Sequence, residues 1–122
     1  MHKLILAFLI CAMPSMAADV TGTWQMTVET NSGSGTPALE LKQQGERLTG
    51  TLRSAIFGDL AVNGTVKGDR IEFWAEADAG GTTIKITYKG TIQSAAAMKG
   101  TAVYAGIDEN ATWSAARKSA NQ

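Results

Sequence analysis

The chain has 122 residues, with 11 Lys and Arg against 11 Asp and Glu, so it is near-neutral and long enough for one domain. Its single cysteine, Cys11, and single histidine, His2, both stand at the extreme N-terminus. Without that segment the chain holds no disulfide framework, no Cys/His zinc site, no thiol nucleophile and no His-dependent triad, and the absence of a basic run argues against nucleic acid and anionic membranes.

In chain order, an address comes first. His2 and Lys3 precede an apolar run from Leu4 to Met13 that Pro14 breaks, and Ser15-Met16-Ala17 place small residues at −3 and −1 of a cut after Ala17. This is the pattern of a secretory signal peptide. The run is short of the ~20 residues needed to span a bilayer. A lipidated Cys11 would need a small residue before it, and Ile10 stands there. The expected division is a signal peptide, 1–17, and a single domain, 18–122, exported to the periplasm or the extracellular space, with no membrane span after cleavage. Loss of Lys3 leaves one base fewer than acids, a net charge near −1.

From Val20 onward the apolar period is two, the period of half-buried strands. Val20, Gly22, Trp24, Met26 and Val28 share one face; Thr21, Thr23, Gln25, Thr27 and Glu29 share the other. The same alternation recurs after each turn signal and predicts eight strands, at about 20–29, 38–44, 47–54, 59–66, 70–77, 82–93, 98–105 and 111–117, with boundaries good to about two to four residues. The links are short, for example Gly45-Glu46, Lys67-Gly68-Asp69 and Asp78 to Gly81. Links of this length join antiparallel neighbours, because parallel crossovers need a dozen or more residues. The longest link, Thr30 to Pro37, reads either as a mobile connection or as a gate over one end of the domain.

A pattern of apolar-x-Gly-Thr-apolar recurs at Gly22, Gly50, Gly64, Gly90 and Gly100, each time with the Gly on the apolar face. Gly weakens a strand interior unless the missing side chain is needed. Strong coiling of a small sheet and room for a neighbouring aromatic ring are two such needs. Eight up-and-down strands with one apolar face each bury that face, and lose both edges, by closing on themselves. The expected fold class is therefore all-β, an eight-stranded antiparallel up-and-down β-barrel; a meander folded into two facing sheets is the alternative.

Gly22-Thr23-Trp24 at the start and Thr112-Trp113 to Arg117 at the end resemble the calycin signature of lipocalins and related barrels. The chain is also similar to small exported bacterial domains with the same two ends. The resemblance implies barrel closure through Gly22, Trp24 and Arg117, with the guanidinium packed across the indole. Leu48 to Ala55 further resembles a hairpin of avidin-type biotin binders. Leu52 stands where those proteins place a tyrosine, and Met26 and Val28 are apolar, so the ureido group of biotin would go unpaired at about 1–3 kcal/mol per buried polar group.

The predicted lining offers Trp24, Met26, Phe73, Tyr88, Tyr104 and Trp113 as contacts for a small apolar or aromatic ligand. The phenols are its polar groups. The other function class is a filled barrel that works by contact, either with an envelope protein or with a second copy. Its interaction surface would centre on Trp74, which alternates out of the core between Glu72 and Glu76. Those two glutamates lie about 13 Å apart along a strand, too far for a glycosidase pair at about 5–10 Å. The Asp108-Glu109 loop reads as a solvated charge pair rather than a cation site. No enzymatic activity, no cofactor and no metal is expected.

Overall fold

The computed structural model describes residues 19–107 and 109–118. The expected signal peptide and Asp108 lie outside them. The described strands are β1 (Gly22–Thr30), β2 (Gly33–Gly35), β3 (Ala38–Gln44), β4 (Arg47–Ser54), β5 (Gly58–Lys67), β6 (Arg70–Ala79), β7 (Thr82–Ser94), β8 (Ala97–Ala105) and β9 (Glu109–Arg117). From β3 onward each pairs antiparallel with the next, and β9 returns to β1 in a ladder running from Trp24↔Arg117 to Thr30↔Ala111. This closes the sheet into an eight-stranded antiparallel up-and-down barrel with one extra short strand. The two-sheet alternative is excluded by that closing ladder.

The extra strand corrects the reading of the Thr30–Pro37 link. After two turn residues the chain doubles back as β2 and pairs with β1 through Val28↔Gly35, Glu29↔Ser34 and Thr30↔Gly33. β3 takes the same edge of β1 lower down, from Gln25↔Ala38 to Gly22↔Leu41. β2 and β3 therefore act as one strand broken at Thr36-Pro37. The break is still pinned: Met26 N donates to Pro37 O at 3.0 Å and Gln25 Nε2 donates to Thr36 O at 2.9 Å. Ser and Gly carry no apolar alternation, so this strand exists because β1 offers it free hydrogen-bonding groups.

The inner face is packed with the residues the alternation selects. Trp24, Met26, Leu39, Leu48, Leu52, Phe73, Ile86, Tyr88 and Met98 are all buried, and Leu60 packs against them half-exposed. Each large apolar side chain so buried contributes about 1.5–3 kcal/mol. No polar or charged residue other than tyrosine is buried among the described residues. The recurrent glycines have a steric cause. Gly90 and Gly100 face each other across β7 and β8. A Cβ on Gly100 would collide with Lys89 O, and one on Gly90 would lie 2.7 Å from Trp113 Cζ2 as well as on Lys99 O. The sheet coils so tightly there that backbone and indole occupy the space of the missing side chains.

Candidate functional site

The two ends of the barrel are built differently. At the end where β1 begins and β9 finishes, Trp24 is fully buried and donates its indole N–H to Val20 O at 2.9 Å. Arg117 lies over the indole, 4.6 Å from the ring centroid. Its guanidinium donates to Ala95 O at 2.7 Å, Thr21 O at 2.6 Å and Asp19 O at 2.8 Å. An irregularity in the β7–β8 ladder between Ile92 and Ser94 precedes the Ala95-Ala96 turn that supplies the first of these acceptors. Gly22 sits at φ 141°, and a Cβ there would come within 2.8 Å of Arg117 Nη1. Gly22, Trp24 and Arg117 thus form one plug, in which a single guanidinium gives three hydrogen bonds to backbone carbonyls and lies over a π face.

At the opposite end the core opens into a cavity of about 270 Å³. Its floor is Val28, Leu52, Ile86 and Tyr88. Tyr104 forms one wall, and the rim is made by the β1–β2 hairpin, Ile56, Phe57, Ile107 and Glu109. The volume lies just under the usual range for drug-sized guests, which suits a small planar molecule. Tyr88 continues inward as an aromatic stack. Its ring lies 4.7 Å from that of Phe73 at 14°, and Trp113 meets both edge-on at 5.6 and 6.1 Å. Trp113 is anchored by its own N–H, donated to Thr101 O at 2.9 Å.

Of the six expected ligand contacts, the structure brings Tyr88 and Tyr104 to this cavity. Trp24 belongs to the plug at the far end. Met26, Phe73 and Trp113 belong to the packed interior beneath the floor. The register explains the split: Tyr104 pairs with Ile86 and Tyr88 with Ala102, which places the two phenols diagonally on neighbouring strands near the mouth. Glu109, the cross-strand partner of Tyr104, was not among the expected contacts. Nor were Ile56, Phe57 and Ile107, which lie on turns where alternation carries no face information. Trp74 points outward as expected and is half-buried there, with Lys85 Nζ 5.3 Å from its ring centroid.

Burial raises the Tyr88 phenol far above its ordinary pKa, and the neighbouring Tyr104 acts in the same sense. Tyr104 is raised as well. Burial is the main cause, the Tyr88 hydroxyl opposes it, and the Glu109 carboxylate adds to it. Both phenols are therefore neutral hydrogen-bond donors at physiological pH. Glu109 accepts a hydrogen bond from Ser32 Oγ at 3.0 Å, tying the β2 hairpin to the start of β9 across the rim. Ser54 is occupied locally, accepting from Ile56 N and Phe57 N at 3.1 Å.

The charges sort along the barrel axis. Glu29, Asp59, Glu76, Asp78 and Glu109 lie in the mouth half, where Lys85 faces Glu76 across the ladder and Arg53 is held by Glu40 at 3.2 Å. Lys42, Arg47, Lys67, Arg70, Lys99, Arg117 and Lys118 lie in the plugged half, where they outnumber Asp19, Glu46, Asp69 and Glu72. A near-neutral chain is thus negative at the mouth and positive at the plug. A broad trough of about 1000 Å³ also crosses the outer wall, lined by Thr65, Lys67, Arg70, Thr91, Lys99 and Thr101 among others. Ile71, Gly90, Gly100 and Trp113 line it as well, and it is open to solvent, so an apolar guest there would stay partly hydrated. Among the described residues no group of three or more His, Cys, Asp or Glu could hold a metal ion.

No protein-family model and no curated protein matches the chain. Solved structures do. A redesigned β-barrel superposes with a TM-score of 0.71 at 17% identity, covering 89% of this chain and 100% of that one. EF1p2_mFAP2b bound to DFHBI gives a TM-score of 0.63 at 21% identity, covering 85% and 98%. A further redesigned barrel, mFAP1, also bound to DFHBI, gives 0.62 at 19% identity, covering 80% and 94%. These likenesses establish the small closed barrel as the fold of this chain.

Proposed function

We propose that this chain is a non-catalytic, lipocalin-like binding protein that holds a small apolar or aromatic ligand at the mouth of the barrel. The observation that carries this reading is the cavity of about 270 Å³ floored by Val28, Leu52, Ile86 and Tyr88. Its walls bury an apolar ring, and the neutral hydroxyls of Tyr88 and Tyr104 offer the few directed hydrogen bonds that orient a guest in such pockets. Structural neighbours bound to DFHBI are consistent with small-ligand binding by barrels of this shape. The plug built on Gly22, Trp24 and Arg117 supports a calycin-like kinship, since it joins the two sequence ends that carry that resemblance. The secretory pattern of residues 1–17 supports a place of action outside the cytoplasm.

The test is a titration of the purified domain with a panel of small aromatic probes, read by tryptophan emission, since Trp113 meets Tyr88 edge-on. A saturable change is expected. Tyr104→Ala weakens it at least ten-fold, whereas Trp74→Ser, on the outer wall, leaves it unchanged. Absence of a saturable change with any probe overturns the reading.

A further inference from the structure

Resting on that reading, we infer that the guest of the mouth cavity is an organic cation: a small aromatic ring bearing an ammonium group. Three features of the site converge on this class. Among the described lining residues Glu109 is the one charged side chain, and Ser32 engages its Oε2. Tyr88, with one ring face stacked on Phe73, and Tyr104 both line this space, so aromatic carbon and phenol oxygen stand at hand for a cation. Tyr88 is 2% exposed and lines the cavity, so its hydroxyl is a polar group buried beside the guest's space. The polar neighbour that acts on it is Tyr104, itself in the cavity wall.

The surrounding field points the same way. Glu29, Asp59 and Asp78 stand around the mouth half with Glu109, and the bases of that half, Arg53 and Lys85, are engaged by Glu40 and opposed by Glu76. An anionic guest would approach against this field and would come to rest beside the Glu109 carboxylate, where like charges at short range oppose binding. A carboxylate ligand is therefore the class this mouth rejects. A cation is drawn in by the field and neutralises Glu109 on arrival.

Three probes of one shape separate the alternatives: 2-phenylethylamine, 2-phenylethanol and phenylacetate, titrated calorimetrically at pH 7 and low salt. The amine is expected to bind at least ten-fold tighter than the acid, with the alcohol between them, and added salt narrows the gap. Glu109→Gln brings the three affinities within about three-fold, while Asp69→Asn, at the plugged end, preserves the full gap. An unchanged urea midpoint for Glu109→Gln shows that the variant is folded; if that variant fails to fold, Glu109→Asp, which keeps the charge, must restore both fold and gap. Equal affinity for the three probes, or preference for phenylacetate, overturns the cation inference and leaves the ligand-binding reading standing. If none binds, and no neutral aromatic of the wider panel binds either, both fall together.

Discussion

The plugged end and the open end of this barrel use the same ingredients, an aromatic side chain and a polar group that meets it, to opposite effect. At the plug, Trp24 and Arg117 satisfy each other and the nearby carbonyls, and little polar capacity is left over. At the mouth, the Tyr88 hydroxyl meets that of Tyr104 beside a space that the protein does not fill. The difference teaches that burial of an aromatic residue does not by itself mark a site. What separates a structural ring from a binding ring is whether its polar atom is spent on a backbone carbonyl, as Trp24 Nε1 is on Val20 O, or stands beside unfilled space.

The comparison is most severely tested by Trp24→Ala. Removal of a fully buried indole is expected to cost about 3–5 kcal/mol, seen as a fall in the urea midpoint, with no change in how any surviving folded protein binds a guest. Arg117→Ala comes next, at about 1–3 kcal/mol, because it strips a cation–π contact and several hydrogen bonds from one place. Arg117→Lys should recover little of this, since an ammonium cannot reproduce the planar fork. Equal effects of Trp24→Ala and Tyr104→Phe on stability would erase the distinction between the two ends.

Alkaline titration sharpens the contrast at the mouth. The folded-state pKa of Tyr88 is raised by burial, so the folded state holds its proton where the unfolded chain releases it near pH 10. Stability from this group is complete below about pH 10 and declines as pH rises beyond that value. Tyr88→Phe is expected to flatten the decline in urea midpoints measured from pH 9 to 11.5, and to change stability at pH 7 by less than about 1 kcal/mol. The smallest effect belongs to Ser32→Ala. It frees the hairpin tip from Glu109 and should alter global stability by less than about 0.5 kcal/mol, while hydrogen exchange at residues 32–35 quickens.

Period-two alternation revealed the barrel wall because each strand has one wet face and one dry face, and a single-residue slip would exchange them. Height along the barrel axis is not written in that alternation. Trp24, Met26, Phe73, Tyr88, Tyr104 and Trp113 share the inner face, yet their levels follow from ladder register, which only pairing reveals. This is why two of the six reach the mouth. β2 was illegible for another reason: Gly33-Ser34-Gly35 has no preference for extended structure and is held by the edge of β1. Glu109 stayed hidden because it borders a turn, where its neighbour Asp108 made the pair look solvated. The signal of charge sorting was present in the sequence, but it needs strand direction before acids and bases can be assigned to ends.

The seam between β1 and β9 carries a consequence for biogenesis. Arg117 meets Thr21 across 96 positions of sequence, so the ring cannot close until its final strand has been synthesised. Until then β1 and β8 present unpaired edges, the form in which β proteins stick to one another. A chain that stalls or is clipped just before β9 would therefore be an aggregation hazard, and a chaperone guarding it would have to shield those two borders until the last nine residues of strand arrive.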